Sequence, residues 1–242
     1  MQKLSYLYYK GVNSLDLSLL IKSKGSWIAA ERDKTYVSVP GRNGDLIQDN
    51  GRYKNVPIPY TMTVLRNGVR SFAELVAKIK NWLSVGTGYG ELWDSYDPRY
   101  FRYAAIDGYV NITEELLEHI GSFAVNFNCK PYRYSFDGQN IISVPAAGMT
   151  LYNPEVLAAK PYIKIYGNGS ISLSVNSSTI TIADVDGYVE LDSETMNAYK
   201  GINLLNNKMT GSAFPELVPG DNTIAFTGTV TGAEIVPRWC TI

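Results

Sequence analysis

The feature that most constrains this chain is a recurring short stretch in which apolar and polar residues alternate, each closed by a glycine, proline or asparagine turn. Strand side chains point alternately to the two faces of a sheet, so an apolar set with period two marks a half-buried strand. Residues 56–65 place Val56, Ile58, Tyr60, Met62 and Val64 on one face, although Pro57 and Pro59 mark the start as an unpaired edge. Residues 122–134 do the same with Phe123, Val125, Phe127 and Cys129. Beyond Pro161 the pattern is denser. Residues 162–166, 171–175, 179–182 and 188–191 read as strands, with Gly167-Asn168-Gly169 and Asp186-Gly187 as hairpin turns. Runs at 199–205, 222–227 and 234–239 complete a β-sandwich in this half. The 18 Tyr, 21 Gly and 11 Pro suit strands joined by tight turns better than a helical bundle. The expected fold is mainly β.

One stretch departs from the pattern. Phe72, Leu75, Val76, Ile79 and Leu83 recur at helical spacing, and Ser71 with Glu74 three residues on forms a capping box at the start. This apolar stripe is a packing face for a sheet, and Gly86 and Gly88 end the helix. Before it, 6–9 and 16–21 are short strands separated by Gly11, Asn13 and Ser14, with a break at Lys24, Gly25 and Ser26. Residues 27–30 and 35–39 are β-favouring, with Glu31, Arg32, Asp33 and Lys34 as a solvated turn between them, and 66–70 is a further turn. After the helix, 91–93 and 100–110 read as strands around a turn on Asp97-Pro98. Residues 111–121, with Leu116, Leu117 and Ile120, fit a helical turn or a bulged strand equally. Residues 136–160 read as a linker and an edge strand, on Gly138, Pro145, Ala146, Ala147, Gly148 and Pro154. With 242 residues, 45% of them hydrophobic, the chain has material for two domains. They are expected at 1–136 and 137–242.

Residues 37–60 form the most particular segment. Gly41, Arg42, Asn43 and Gly44, then Asp49, Asn50, Gly51, Arg52 and Tyr53, surround only two apolar residues, Leu46 and Ile47. Asn50-Gly51 is the strongest short hairpin signal, because both residues tolerate positive φ. An inert surface loop is the plain reading. A β-hairpin arm near 40–55 that reaches a partner is the functional one, with those nine residues as candidate interface and Arg42 and Arg52 as candidate hydrogen-bond donors across it.

Catalytic chemistry finds little support. The formal net charge is −1 with Lys and Arg scattered, which disfavours a nucleic-acid-binding face. The N-terminal residues lack a signal-peptide core, and no apolar run approaches a membrane span, so no membrane partner is expected. Cys129 and Cys240 read as buried free thiols. His119 is the single histidine, without a nucleophile motif around it, and one His with two distant Cys cannot make a zinc shell. Asp184, Asp186 and Asp192 lack calcium-loop spacing. The glycine runs at 86–90 and 167–170 lack the helix and Lys of a phosphate cradle. Glu114, Glu115 and Glu118 read as a solvated face more readily than as paired catalytic carboxylates. No metal, cofactor or enzymatic activity is expected.

Specific wording adds to this. The run PGRNGDL at 40–46, DNGRY at 49–53, the strand ending in NVPIPY, then LWD, DPRYFRYAA and FNCKPYRY follow in order through the first half. PYIKIYGNG, LDSE, LVPGDNTI and PRW follow through the second. In this order they resemble the distal tail (Dit) proteins of siphophages. The resemblance implies an N-terminal, tail-tube-like β-sandwich with one flanking α-helix and a C-terminal galectin-like β-sandwich, the last few residues packing back on the first domain. It also implies a structural baseplate hub: a homohexameric ring, single or back to back, under the tail tube protein, with a channel through which DNA passes. Tail-tip or tail-lysin and receptor-binding proteins are the further implied partners. The implied location is the virion tail tip, after assembly in the host cytoplasm. A lectin-like, carbohydrate-binding adhesion protein is the alternative. Against it, the second half has no His, and its single Trp and single Arg are the adjacent Trp239 and Arg238.

Overall fold

The structure, a computed structural model, describes residues 4–25, 27–65, 71–116, 119–211 and 213–242, the Leu116 side chain excepted. The expected turn at 66–70, and Ser26, Leu117 and Glu118, lie outside the described residues. The fold is mainly β. The chain divides into two compact units, Met1–Arg133 with Ile242, and Tyr134–Thr241.

The first unit carries β1 (Leu7–Tyr9), β2 (Val12–Asn13), β3 (Leu19–Lys24), β4 (Arg32–Val37), β5 (Leu46–Tyr53) and β6 (Val56–Leu65). Then come α1 (Phe72–Ser84), β7 (Gly90–Asp94), β8 (Tyr100–Asp107), β9 (Thr113–Leu116) and β10 (Ile120–Cys129). Its sheet runs β2-β1-β7-β8-β10-β6-β3, with β9 also on β10. The alternation in 56–65 does what it predicts, and all five apolar residues of that face are buried. They share one core with Leu7, Tyr9, Leu19 and Phe127 and with Phe72, Leu75, Ile79 and Leu83 of α1. Each such side chain contributes about 1.5–3 kcal/mol on burial. At the start of α1, Ser71 Oγ accepts from Glu74 N–H at 3.2 Å while the Glu74 carboxylate accepts from Ser71 N–H at 3.1 Å. The Trp82 indole donates to the Tyr9 carbonyl at 2.9 Å, which ties the helix to β1.

Several expectations need correction here. The start of β6 is an edge on one side but is not unpaired: β10 pairs along its whole length, and β3 joins its other side from Tyr60 onward. Pro57 and Pro59 are tolerated because they precede that point, where no N–H is needed by a neighbour. Residues 16–21 are not one strand. Ser14–Leu17 is a 3-10 turn capped by the Asn13 side chain, and the buried Ser14 hydroxyl accepts from Leu7 N–H and donates to the Leu19 carbonyl. Among the described residues of 111–121, β9 and the start of β10 pair antiparallel with a register shift between Ile120 and Gly121, so the segment holds two paired strands with a bulge and not one bulged strand.

The second unit follows β11 (Arg133–Ser135), which spans the division, with β12 (Ile142–Pro145), β13 (Met149–Asn153), β14 (Tyr162–Val175), β15 (Ser178–Val185) and β16 (Tyr188–Asp192). β17 (Asn197–Lys200), β18 (Asn203–Leu204), β19 (Met209–Gly211), β20 (Gly220–Val236) and β21 (Cys240–Thr241) complete it. Two long strands organise this unit. The first half of β14 lies between β16 and the end of β20, and its second half between β15 and the middle of β20. β12 continues the first layer and β13 the second, each on a different part of β20. Inward residues of both layers, such as Ile163, Leu191, Leu173 and Ile182, share one core. The unit is therefore a β-sandwich whose corner is made by strands that pass from one layer to the other.

This corrects the reading of Gly167-Asn168-Gly169 as a hairpin turn. These residues lie inside β14, where its register against β20 shifts. A Cβ on Gly167 would sit 2.2 Å from the Thr229 carbonyl oxygen, and one on Gly228 would sit 2.3 Å from that of Ser170. Close backbone approach, not chain reversal, is what these glycines serve. Nor are 136–160 a linker, since β12 and β13 are both paired and the proline–glycine stretch between them closes a turn, Gly148 N–H donating to the Pro145 carbonyl at 2.8 Å.

Candidate functional site

β4 and β5 form a two-stranded sheet paired with no other strand among the described residues. Val37 lies opposite Leu46, Tyr36 opposite Ile47, Thr35 opposite Gln48 and Lys34 opposite Asp49; a register shift then leads to Arg32 opposite Tyr53. Gly41 (φ 79°) and Gly44 (φ 82°) bend the connecting loop at 38–45, where Arg42 N–H donates to the Val39 carbonyl at 3.1 Å. Asn50-Gly51 is therefore not the hairpin turn. It makes the bulge instead: Gly51 takes φ 74°, and its N–H donates to Asp49 Oδ1 at 2.8 Å. Between these pairs one residue of β4, Asp33, faces three of β5, Asn50 to Arg52, and the two extra residues are accommodated with Gly51 in a left-handed position that glycine adopts without strain. The charged run also departs from expectation, since Arg32, Asp33 and Lys34 are strand residues of β4 and not a turn.

Polar pairing fixes the root and shaft of this arm. Arg32 Nε donates to both Asp49 oxygens at 3.0 and 2.8 Å, Arg52 Nε meets Asp33 Oδ2 at 2.7 Å, and Lys54 Nζ meets Glu31 Oε1 at 3.2 Å. The Gly51 N–H and the Arg32 guanidinium hold the Asp49 carboxyl below its ordinary range, and Arg52 with Asn50 does the same for Asp33. Asp49 in turn holds the Arg32 guanidinium above its ordinary value. Arg32 also lies over the Tyr53 ring at 4.9 Å, and Tyr53 meets Tyr132 edge-on at 6.1 Å. Surface pairs of this kind are each worth little, so they set direction more than stability.

The tip is different. Tyr36 and Ile47 are 62% and 57% exposed, and Val37, Val39 and Leu46 are exposed as well. Cross-strand apolar pairs on both faces of a hairpin have no core of their own to enter, and an isolated hairpin is marginal in water. Of the residues picked from sequence, Gly41, Arg42, Asn43 and Gly44 lie in the loop and Asp49, Asn50, Gly51, Arg52 and Tyr53 in β5. The fold brings both groups into one arm but not to one point. Arg52 is committed to Asp33, whereas Arg42 is exposed and makes no ion pair among the described residues. Tyr36, Val37 and Arg32 were missed; the alternation through Thr35, Tyr36 and Val37 was the available signal, hidden by the charged residues before it.

Elsewhere, the carboxylates singled out for calcium are engaged with cations: Asp184 with Lys208 at 3.7 Å, Asp186 with Lys200 at 3.1 Å and Asp192 with Arg238 at 2.7 Å. Glu115 accepts from the Ser122 hydroxyl, and His119 sits exposed in a turn. Among the described residues no three His, Cys, Asp or Glu side chains cluster as for a metal, and no helix is long and apolar enough to cross a membrane.

Comparison with known proteins agrees with this architecture. Residues 15–129 match the family described as phage tail protein RIFT-related domain. The whole fold is similar to the crystal structure of the Dit (gp 19.1) protein of phage SPP1, described as a paradigm of the hub adsorption apparatus of phages infecting Gram-positive hosts. That likeness has a TM-score of 0.73 at 14% identity over 96% of this chain and 98% of the other. A chain of the phage P2 baseplate in its activated conformation with Ca is similar at TM-score 0.53 and 9% identity, over 97% of each chain. The comparison with curated proteins gives no match. Residues 15–129 of the first unit are thus similar to a phage tail domain, and the chain as a whole shares the fold of the SPP1 Dit protein.

Proposed function

We propose that this chain is a structural hub subunit of a phage tail tip, in which six copies close into a ring beneath the tail tube and leave a channel for DNA. The arm carries this reading. Its apolar tip is long, bare on both faces and rigidly rooted, which suits a surface completed by another molecule. In a head-to-tail ring the arm of each copy lies on the next, burying Tyr36, Val37, Leu46 and Ile47 and covering open strand edges. Arg42, free of ion pairs among the described residues, is then available to donate across the interface.

The likeness to hub and baseplate proteins supports a place in the virion and an adaptor role, with the tube on one side and tail-tip, tail-lysin or receptor-binding components on the other. In this reading the second unit is an outward platform and the protein works without catalysis. Light scattering with negative-stain imaging of the purified chain tests it. A hexamer, or two stacked hexamers, with six-fold rings supports the proposal, whereas a monomer that stays single when mixed with its tube protein counts against it.

A further inference from the structure

Asparagine followed by glycine occurs four times in the chain, at 43–44, 50–51, 67–68 and 168–169. The pairing matters chemically. Glycine has no Cβ to block the approach of its own backbone nitrogen to the preceding side chain, and its backbone reaches conformations that other residues rarely adopt. Asn67-Gly68 lies outside the described residues, and the fold treats the other three pairs differently.

Asn50 is held. Its side-chain N–H donates to Thr35 Oγ1 at 3.2 Å, and the Gly51 N–H donates to Asp49 Oδ1 at 2.8 Å. Asn168 is held too: its Oδ1 accepts from the Gly187 N–H at 2.9 Å, and Gly169 is paired with Val185 within the sheet. Asn43 sits in the loop at 38–45, and neither its side chain nor the Gly44 N–H makes a hydrogen bond among the described residues. All three asparagines are exposed, so restraint and not access to water separates them.

We propose that Asn43 is a modification site, at which the chain converts its own side chain through a cyclic imide to aspartate and isoaspartate. The Gly44 nitrogen bonds to Asn43 Cγ and the bond from Cγ to the carboxamide nitrogen breaks. That nitrogen takes up the Gly44 proton by way of water and leaves as ammonia. Water then opens the ring: cleavage at the side-chain carbonyl gives aspartate, and cleavage at the backbone carbonyl gives isoaspartate, which carries the chain through the side chain. Nothing is oxidised or reduced, and solvent water is the co-reactant. Arg42 and Asp45 balance each other in the loop, so the product carboxylate leaves it negative beside Arg42. The site belongs to the arm alone and does not rest on ring formation.

Peptide mapping of the full chain by mass spectrometry tests this, after incubation in mildly alkaline buffer with and without guanidinium chloride. In the native chain, conversion at Asn43 should outpace that at Asn50 and at Asn168 by about threefold to tenfold, the restraint that one hydrogen bond supplies. In denaturant, which removes that restraint, the three rates should draw together. Native conversion at Asn43 no faster than at Asn50 or Asn168 overturns the proposal. A lead of the same size in denaturant overturns it equally, since the difference would then come from neighbours in sequence and not from the fold.

Discussion

The Tyr60 hydroxyl donates to Asp94 Oδ2 at 2.5 Å inside the first unit, and Lys24 Nζ reaches the same oxygen at 2.8 Å. Asp94 Oδ1 meanwhile accepts from the Tyr96 and Asp97 N–H groups at 2.9 and 3.2 Å, so the buried carboxylate is satisfied on both oxygens. Burial first, and then the Asp94 charge and hydrogen bond, push the Tyr60 phenol well above its ordinary value, which keeps it a proton donor. Tyr60→Phe should destabilise the chain by about 2 kcal/mol, the worth of a buried hydrogen bond to a charged group. Chemical denaturation measures this, and an unchanged midpoint would remove the bond from the fold's support.

The apolar tip of the arm gives a prediction that separates assembly from folding. Tyr36→Asp with Ile47→Asp places charges where side chains are already exposed, so the unfolding midpoint should hold within about 0.5 kcal/mol. Ring assembly should nevertheless be lost, seen as a single-subunit mass by light scattering. Rings of normal mass from this variant would take the arm out of the interface.

Asp192 and Arg238 supply a pH dependence. Burial works to raise the Asp192 carboxyl, but the Arg238 guanidinium at 2.7 and 3.2 Å and the Glu194 and Thr195 N–H groups leave it below its ordinary value. A folded-state value below the unfolded value of about 3.9 means that the stabilisation is complete above that pH and is lost as pH falls through the lowered one. The stability difference between the native chain and Asp192→Asn should therefore be steady from about pH 7 to 5 and shrink toward pH 2. A difference that grows on acidification would contradict the pairing.

Cys129 and Cys240 are free and buried, and burial pushes their thiols up to about 12 and about 11. The thiolate is the nucleophile, so iodoacetamide at about pH 8 should modify neither residue in the native chain and both after denaturation. Intact mass spectrometry reads the outcome, and a labelled native chain would refute the buried assignment.

The capping box on α1 offers a local test. Ser71→Ala removes the acceptor for Glu74 N–H and should cost about 1 kcal/mol, with Ser71→Asp retaining most of the stability.

What could be read from the sequence was what adjacent residues decide between themselves. The Ser71 and Glu74 cap, the stripe from Phe72 to Leu83 and the alternation through Val56 and Val64 depend on spacing within one element, and all three stand in the structure. Gly167-Asn168-Gly169 and Asn50-Gly51 were misread because positive φ serves a turn and a bulge equally, and only the opposite strand decides between them. The same holds for the arm. Gly41 to Gly44 announced its loop, but Tyr36 and Val37 become part of the candidate surface only through their partners Ile47 and Leu46.

The crossing of β14 and β20 has a consequence for how this sequence can change over generations. Gly167 sits against the backbone at Thr229, and Gly228 against the backbone at Ser170, each too close for any side chain. Backbone oxygens cannot be traded for smaller ones, so no compensating substitution nearby makes room. A lineage that carries this corner can vary its loops and its surface widely, yet it has no single-step path that replaces either glycine and keeps the same strands in both layers.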